Sequence, residues 1–334
     1  MPPSLFGTPL DQALARMGCL AQAARIDQLS YQDGPMRGSR LLRLVTGGGL
    51  AFEIHPDRAL DIGSLDIDGR NCAWLSPTRI ASPALYDGSA PNFLRTFGGG
   101  FLMTCGLDHT GPRHQTSDKA FPQHGMIGAT PASVTRTEVT DEGLFVEGVV
   151  RQVAAMKEHL SLRRRIFAPL GGREFTVVDT VKNESDEPQP HVVLYHCNFG
   201  WPLVSERTHM RIDSVAQVPQ TADAKASSWA HLVPPIANER ECVYLHEMKD
   251  GIVKAALENP HNKLRMAMTF DSRVLPSLVE WKMMAKHVYA LGLEPTNARA
   301  LGNQDSLRKK KLLPMLEPGE QVTYKLKFEL SGAG

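Results

Sequence analysis

The chain has 334 residues, a length that allows one large domain or two of ordinary size. Its residues are 42% hydrophobic and 22% charged, as in an ordinary globular protein, and no apolar run approaches the roughly 18 residues of a membrane-spanning helix. Lys and Arg number 37 against 36 Asp and Glu, and the resulting net charge of +1 excludes a general electrostatic attraction to nucleic acid or membrane.

The cysteines and the N-terminus indicate the compartment. The sequence has five cysteines, an odd number, and none of them shows C-x-x-C spacing, which argues against both a disulfide framework and a zinc cluster. The first residues lack the basic start and long apolar stretch of a secretory signal. We therefore expect reduced thiols in a cytoplasmic protein.

The predicted elements begin with a helix and continue as strands. Residues 11–26 are the best early helix candidate, because Asp11 can cap the first turn and Gly18 can end it. Short segments rich in Val, Ile, Leu, Phe and Thr then recur between turns of Gly, Pro, Asp and Asn. The predicted strands are 39–45, 50–54, 65–67, 144–153, 160–167, 175–181, 191–195, 263–270, 288–293 and 322–330.

Turn signals between these segments favour antiparallel sheets. Asp68-Gly69 is a favoured pair for a two-residue hairpin turn, and residues 317–320 resemble the turn ahead of a last strand. Many short strands without alternating long helices predict an all-β protein, a large antiparallel two-sheet β-sandwich. We expect residues 1–334 to form one such domain with an N-terminal helical extension over 1–30.

Three irregular stretches are expected to build or cover a site, since long loops in compact β domains usually do so. They are residues 76–95, 108–123 and 214–240.

Three polar residues stand in apolar, strand-like surroundings and point to proton transfer. They are His124 in Pro-Gln-His-Gly, His196 in Leu-Tyr-His-Cys-Asn-Phe-Gly, and Glu294 in Leu-Gly-Leu-Glu-Pro. Imidazole and carboxylate are the side chains best suited to giving and taking protons near neutral pH. His196 follows the predicted strand 191–195, so we expect it where a strand gives way to a turn and faces a cleft.

The order of these motifs resembles the galactose mutarotase (aldose 1-epimerase) superfamily, whose strand ends carry a His-Gly, a His-containing segment and a Glu-Pro. Residues 58–63, 97–107 and the Trp281-Lys282 pair resemble a mutarotase-related bacterial branch of it, so that the likeness spans roughly 33–330. The resemblance implies the large two-sheet supersandwich of that superfamily. Two departures leave the sugar open: residues 197–200 replace Tyr-Phe-Asn-Leu, and Thr296 replaces the usual Gln.

The resemblance also implies an activity, the interconversion of sugar anomers through ring opening. Carried over by position, Glu294 is the base for the anomeric hydroxyl and His196 the acid for the ring oxygen, on opposite sides of one sugar. His124 hydrogen-bonds the sugar and orients the ring oxygen. This chemistry needs neither a redox cofactor nor a metal. It predicts a bell-shaped pH profile, with the carboxylate on the ascending limb and the imidazole on the descending limb.

Three cations, Arg58, Arg95 and Lys282, are further candidates for substrate binding. Arg95 occupies roughly the place of the superfamily's sugar-binding arginine, and its planar fork suits vicinal hydroxyls or a carboxylate. If all three reach one cleft, a sugar that carries a carboxylate or phosphate should bind better than its neutral parent. The alternative is that Arg58 pairs with Asp61 inside the fold and Lys282 faces solvent. The expected partner is a small sugar or sugar acid, and a homodimer is left open.

Two other functions compete with an epimerase. A metal-dependent enzyme of the cupin sort is suggested by His109 and His114, but the sequence has no H-x-H or H-E-x-x-H spacing. A non-catalytic sugar-binding protein or sugar sensor on the same fold is the other alternative, because fold does not determine function. The presence of both His196 and Glu294 speaks against a pure binder, which needs no acid and base together.

Overall fold

The structure is a computed structural model that describes residues 4–87, 93–116 and 119–332. The strands in the first half of the chain are β1 (Ser4–Leu5), β2 (Thr8–Pro9), β3 (Arg25–Ser30), β4 (Arg40–Val45), β5 (Leu50–His55), β6 (Asp61–Ile67), β7 (Arg70–Asn71), β8 (Met103–Cys105), β9 (His114–Gln115), β10 (Ala120–Phe121), β11 (Ser133–Val139), β12 (Gly143–Val153) and β13 (His159–Pro169).

The second half of the chain contains β14 (Glu174–Asn183), β15 (Gln189–Pro190), β16 (Leu194–Phe199), β17 (His209–Ile212), β18 (Ser214–Pro219), β19 (Cys242–Met248), β20 (Ile252–Asn259), β21 (Leu264–Asp271), β22 (Ser277–Met283), β23 (Ala290–Thr296), β24 (Met315–Leu316) and β25 (Gln321–Ser331). The helices are α1 (Leu10–Leu14), α2 (Phe93–Thr96), α3 (Ala222–Lys225) and α4 (Gln304–Lys309), with 3-10 turns at Leu20–Gln22, Gly34–Met36, Pro83–Leu85 and Ile127–Ala129.

The main strands form two layers. One layer is an eight-stranded sheet in the order β11-β12-β13-β14-β25-β21-β20-β17. The other combines a six-stranded sheet, β18-β19-β22-β23-β16-β8, with a five-stranded sheet, β3-β4-β5-β6-β7. Isolated bridges between Ile62 and Leu102 and between Ala73 and Phe199 join these two sheets. All the strand pairs in the described residues are antiparallel, so the predicted antiparallel two-sheet sandwich is confirmed.

Alternating side chains fill the space between the layers. Every second residue of β14 is buried, as period-2 alternation requires for a sheet with one face on the core. Across the layers, Phe52 stacks on Phe175 with ring centroids 4.8 Å apart, and Phe101 meets Phe328 edge-on at 5.1 Å. Such aromatic contacts add to the burial of apolar surface that holds the two layers together.

A buried ionic network also ties the layers together behind the central strands. Arg164 on β13 is fully buried and donates to both carboxylate oxygens of Asp179 on β14, at 2.9 and 2.6 Å. It also reaches Asp61 on β6 and Thr104 on β8. The hydroxyl of Tyr195 donates to Asp179 at 2.9 Å, which anchors β16 from its core side.

The helix predicted over 11–26 is largely wrong. The structure retains only α1 and a 3-10 turn from it, and residue 25 already begins β3. Ile26 pairs with Leu44 of β4, so the formation of a ladder outweighs local helix propensity at the end of the segment. The helix near the N-terminus is therefore shorter than the sequence predicts.

The turn predicted at Asp68-Gly69 is confirmed. Ile67 and Arg70 pair directly across it, and both turn residues have positive φ, 51° and 73°. Two left-handed residues in succession are the requirement of the hairpin turn that matches strand twist, which explains this dipeptide. The turn at 317–320 likewise precedes the last long strand, β25.

No helix in the described part of the chain is long and apolar enough to cross a membrane.

Candidate active site

The candidate site lies on the outer face of the six-stranded sheet, where β16 and β23 run side by side. The register pairs Leu194 with Thr296 and Cys197 with Leu293, which sets His196 directly opposite Glu294. Directly opposed residues on one sheet face are close enough to interact. β16 continues from Leu194 to Phe199, so His196 lies within the strand and the expectation that it stands where a strand gives way to a turn is wrong.

His196 and Glu294 are in direct contact. Nδ1 of His196 lies 3.2 Å from Oε1 of Glu294, and the side chains are only 6% and 3% exposed. These two atoms are occluded from solvent and have no aligned hydrogen-bond partner. The two groups lie side by side, so the expectation that they stand on opposite sides of one sugar does not hold for this arrangement.

Burial sets the charge of this pair. Desolvation lowers the pKa of His196 well below its usual value, and the neighbouring His124 lowers it further. Desolvation also raises the pKa of Glu294 well above its usual value, with a further contribution from the charge of Glu241. Both pKa shifts favour a neutral imidazole beside a protonated carboxyl group when no ligand is present.

His124 lies beside this pair on a tight loop. Its ring centroid is 5.5 Å from that of His196, and its backbone is left-handed with φ of 59°. Gly125 follows because a Cβ there would lie 2.2 Å from the carbonyl oxygen of Gly106. The glycine of the His-Gly pair is thus required by the close approach of two backbone segments.

The protonation of His124 follows from its partners. Nδ1 accepts from the backbone N–H of Gly111 at 3.4 Å, and burial lowers the pKa of the imidazole to about 4. A neutral ring whose Nδ1 is an acceptor carries its proton on Nε2. His124 is therefore a neutral hydrogen-bond donor near pH 7.

The three side chains line a cavity of about 290 Å³. One wall is aromatic, formed by Phe93, Phe97 and Trp281, and the remaining lining includes polar and small residues. These additional residues are Leu94, Thr110, Gly111, Pro112, Gln123, Leu194, Gln220, Thr221, Glu241, Val243, Val279 and Leu301. An apolar wall with a few convergent polar groups is the usual form of a small-molecule site.

The three stretches predicted to build the site all contribute to this lining. Residues 76–95 supply Phe93 and Leu94, residues 108–123 supply Gln123 among others, and residues 214–240 supply Gln220 and Thr221. Parts of the first two stretches, 88–92 and 117–118, lie outside the described residues. Sequence reasoning missed Gln220, Thr221 and Glu241 individually, and their only signal was their position in or next to an irregular segment.

Trp281 and Lys282 face opposite sides of β22. Trp281 lines the cavity, and its Nε1 donates to Oε2 of Glu241 at 2.9 Å. Lys282, 4% exposed, donates from Nζ to the backbone carbonyls of Ser228 and His231 on the other face. The period-2 alternation of the strand therefore sends Trp281 to the site and Lys282 to a structural anchor.

The other two predicted cations are also outside the cavity lining. Arg58 is buried, and its guanidinium donates to the backbone carbonyl of Ala81 at 2.9 Å, while Asp61 pairs with Arg164 instead. Arg95 is exposed on α2 and is not among the lining residues. The expectation that Arg58, Arg95 and Lys282 converge on one cleft therefore does not hold. A role for Arg95 in binding stays a prediction.

The histidines considered as metal ligands have other partners. Nε2 of His109 lies 2.7 Å from the carbonyl oxygen of Pro112, and Nε2 of His114 lies 3.1 Å from Oδ2 of Asp305. Within residues 4–87, 93–116 and 119–332, no group of three His, Cys, Asp or Glu side chains is placed to hold a metal ion.

Comparisons with known proteins agree with this fold. A family model described as a domain of unknown function, DUF4432, matches residues 36–330. The solved structure of a candidate aldose 1-epimerase from Klebsiella pneumoniae is 25% identical, with a TM-score of 0.86, and the match covers 91% of this chain and 83% of that one. No curated protein matches the chain in sequence.

More distant solved structures share the fold alone. A galactose mutarotase-like protein from Clostridium acetobutylicum is 14% identical with a TM-score of 0.66, over 93% of this chain and 100% of that one. A galactose 1-epimerase from Lactobacillus acidophilus is 13% identical with a TM-score of 0.64, over 93% and 100%. The chain therefore has the galactose mutarotase-like β-sandwich fold.

Proposed function

The chain belongs to the DUF4432 family, and we propose that it is an aldose 1-epimerase that interconverts sugar anomers by acid–base ring opening at His196 and Glu294. The observation that carries the proposal is the cross-strand contact of 3.2 Å between an imidazole and a carboxyl group in a cavity lined by aromatic and polar side chains. A binding protein gains nothing from burying two proton-transfer groups against each other at such a desolvation cost.

Side-by-side placement suits the bond that must break. The anomeric hydroxyl and the ring oxygen are attached to the same carbon, so their two protonation sites are close together. In the forward step, Glu294 takes the hydroxyl proton, the bond between the anomeric carbon and the ring oxygen breaks, and the released electron pair on that oxygen takes a proton from His196. The aldehyde then rotates about its bond to the next carbon, and the reverse steps close the ring on either face.

Ring opening returns the pair to the charge state that burial favours. The reactive form has an ionised Glu294 and a protonated His196, and after opening the carboxyl group is protonated and the imidazole neutral. Burial favours that neutral pair, because it raises the pKa of Glu294 and lowers that of His196. Both forms hold one proton, so binding of sugar hydroxyls can shift the proton without exchange with solvent.

The remaining lining residues position the sugar. His124 offers its Nε2 proton beside His196, where it can donate to the ring oxygen or to a neighbouring hydroxyl. The ring centroid of His196 lies 5.6 Å from that of Trp281 and 5.3 Å from that of Phe97. An apolar face of the sugar therefore meets aromatic rings next to the acid.

The experiment that tests the proposal measures anomer exchange and sugar binding in Glu294→Gln. The amide keeps the shape of the side chain but cannot take a proton, so we expect exchange to fall by roughly 10²–10⁴-fold while binding is retained. Exchange NMR gives the rate, and saturation-transfer NMR gives binding over a panel of aldoses. His196→Ala should lose activity to a comparable degree.

Glu258→Gln is the matched control, because Glu258 is an exposed glutamate on β20 outside the cavity. It should keep the wild-type rate. If Glu294→Gln keeps more than about a tenth of that rate, Glu294 is not the base. If the wild-type protein binds sugars without exchanging their anomers, it is a sugar-binding protein on this fold.

A further inference from the structure

The charge of the cavity differs from what the cations in the sequence suggest. No Lys or Arg side chain lines it among the residues that the structure describes. Two carboxyl groups do, Glu241 and Glu294. The ammonium group of Lys282 donates to two backbone carbonyls on the face of the sheet opposite the cavity. The guanidinium group of Arg58 donates to the carbonyl of Ala81.

Of the two carboxyl groups, Glu241 is the one placed to carry charge. Glu294 is 2% exposed, and burial favours its protonated form. Glu241 is exposed and immediately precedes β19, and its Oε2 accepts from Nε1 of Trp281 at 2.9 Å. This hydrogen bond holds the carboxylate at the cavity wall beside the aromatic ring. In the described chain, no Lys or Arg lies within ion-pair distance of Glu241.

We propose that Glu241, held by Trp281, makes this site selective for uncharged and ammonium-bearing aldoses and against sugars that carry a carboxylate or phosphate. The inference rests on the proposed function for the kind of ligand, a sugar, but concerns binding and not the chemical step. A second anion near Glu241 meets like-charge repulsion that no Lys or Arg of the described lining offsets, whereas an ammonium group gains an ion pair.

The fixed carboxylate also acts on the base. Its negative charge contributes to the raised pKa of Glu294, so a bound ammonium group that neutralises Glu241 removes this contribution and makes Glu294 easier to ionise. An amino sugar therefore assists its own ring opening through Glu241, while a sugar acid makes the base harder to ionise.

The test compares binding within two matched sugar series at pH 6.5 and low salt. The gluco series is D-glucose, D-glucosamine and D-glucuronate, and the galacto series contains the corresponding three sugars. Binding is measured by NMR titration of the whole protein. In the series that fits the cavity, we expect the acid to bind at least about fivefold more weakly than the neutral sugar, and the amine about threefold more tightly. Both differences should shrink at 0.3 M salt, roughly as screening predicts.

Two variants assign the effect to one residue. Glu241→Gln should bring the three affinities within about twofold of one another, because it removes the charge and keeps a hydrogen-bond acceptor for Trp281. Glu247→Gln is the matched control: it removes an exposed carboxylate of β19 that lies outside the cavity, and it should leave the ranking unchanged. The salt dependence of the wild-type protein tests the inference even if Glu241→Gln does not fold.

Several results would overturn the inference. Equal or tighter binding of the acid, weaker binding of the amine than of its neutral parent, or absence of binding for all six sugars would each do so. A ranking that persists in Glu241→Gln would remove Glu241 as its cause. Because binding is measured separately from anomer exchange, the expected ranking without exchange would retain the selectivity and reject the epimerase activity alone.

Discussion

At the residue scale, the contact between His196 and Glu294 determines how the site titrates. Two groups 3.2 Å apart release their protons in two steps that belong to the pair. The directions of the pKa shifts place the carboxyl group above its usual range and the imidazole below its own. The singly protonated pair, which is the form that contains one acid and one base, therefore exists over a broad interval of pH.

The pH profile of kcat/KM should accordingly be a wide bell. On the acid side, activity falls when His196 takes the second proton, below its ordinary pKa of about 6.5; on the alkaline side, it falls when Glu294 loses the last proton. This exchanges the limbs expected from the sequence, where the carboxylate was assigned to the ascending limb. NMR of the His196 ring should show a neutral imidazole at pH 6. A charged ring at that pH, or an acid limb centred near 6.5, would contradict this assignment of the two limbs.

Gly292 is a second residue whose role at the site becomes clear only from the tertiary structure. A Cβ at this position would lie 2.3 Å from Oε1 of Glu294 and 3.2 Å from Cβ of Trp281. Gly292→Ala should therefore displace the carboxyl group and lower kcat by about tenfold or more, because a base misplaced by about 1 Å can cost roughly 10²-fold.

Gly302→Ala is the matched control for this change. The added Cβ at Gly302 would meet Leu307 at an ordinary 3.6 Å, so activity should be unchanged. Equal activity in the two variants would show that Glu294 does not need its present position. Circular dichroism and thermal unfolding distinguish a moved carboxyl group from a damaged sheet.

At the scale of elements, the segment 220–240 between β18 and β19, called the excursion, is held from the face of β22 opposite the cavity. It carries Gln220 and Thr221 to the cavity, and Glu241 lies just after it. Its middle is held by Lys282, whose Nζ donates to the carbonyls of Ser228 and His231. The side chain predicted to bind the substrate therefore supports the wall of the site.

Lys282→Met should loosen this excursion. Methionine keeps most of the apolar length but no donor, so loss of a charge-assisted hydrogen bond should lower the free energy of unfolding by about 1.5–3 kcal/mol. KM should rise more than kcat falls, since the wall residues move while His196 and Glu294 stay on their strands. Limited proteolysis should cut within 222–236 sooner than in the wild type.

Lys225→Met serves as the control, because Lys225 is exposed on α3 within the same excursion. It should change neither KM nor the cleavage rate. A fall in kcat without a change in KM for Lys282→Met would indicate that Lys282 acts on the chemical step and not on the wall.

At the scale of the whole molecule, buried histidines make stability depend on pH. Burial lowers the pKa of His55 to about 3 and the pKa values of His124 and His191 to about 4. The unfolded chain binds these protons below about pH 6.5, whereas the folded chain does not. The unfolded state thus holds more protons in this window, so stability falls as pH falls.

The free energy of unfolding should therefore decrease from pH 7 to pH 5 by up to about 1.4 kcal/mol per pH unit for each of these histidines. Urea unfolding at fixed temperature measures this slope. His191→Gln should remove the contribution of one histidine to this slope. Loss of the contacts to Leu107 and Tyr324 should also lower the stability at neutral pH. An unchanged slope would show that His191 is protonated in the folded protein.

The sequence by itself determined the fold class and the candidate proton-transfer residues. Strand alternation and the Asp68-Gly69 turn are local properties, because side-chain period and turn geometry depend on neighbouring residues. The predicted helix over 11–26 failed where its last residues pair with another strand, as β3 does with β4. The motifs around His124, His196 and Glu294 could be found because proton-transfer groups stand out in apolar strands.

Only the tertiary structure decided how these residues are arranged. The register of β16 on β23 places His196 against Glu294, and no local pattern specifies a partner about a hundred residues away. Period-2 alternation places neighbours such as Trp281 and Lys282 on opposite sides of a strand, but which side is the cavity depends on the layers packed around it. The pairing of Glu241 with Trp281 across two strands, and with it the charge of the cavity, follows from the same packing.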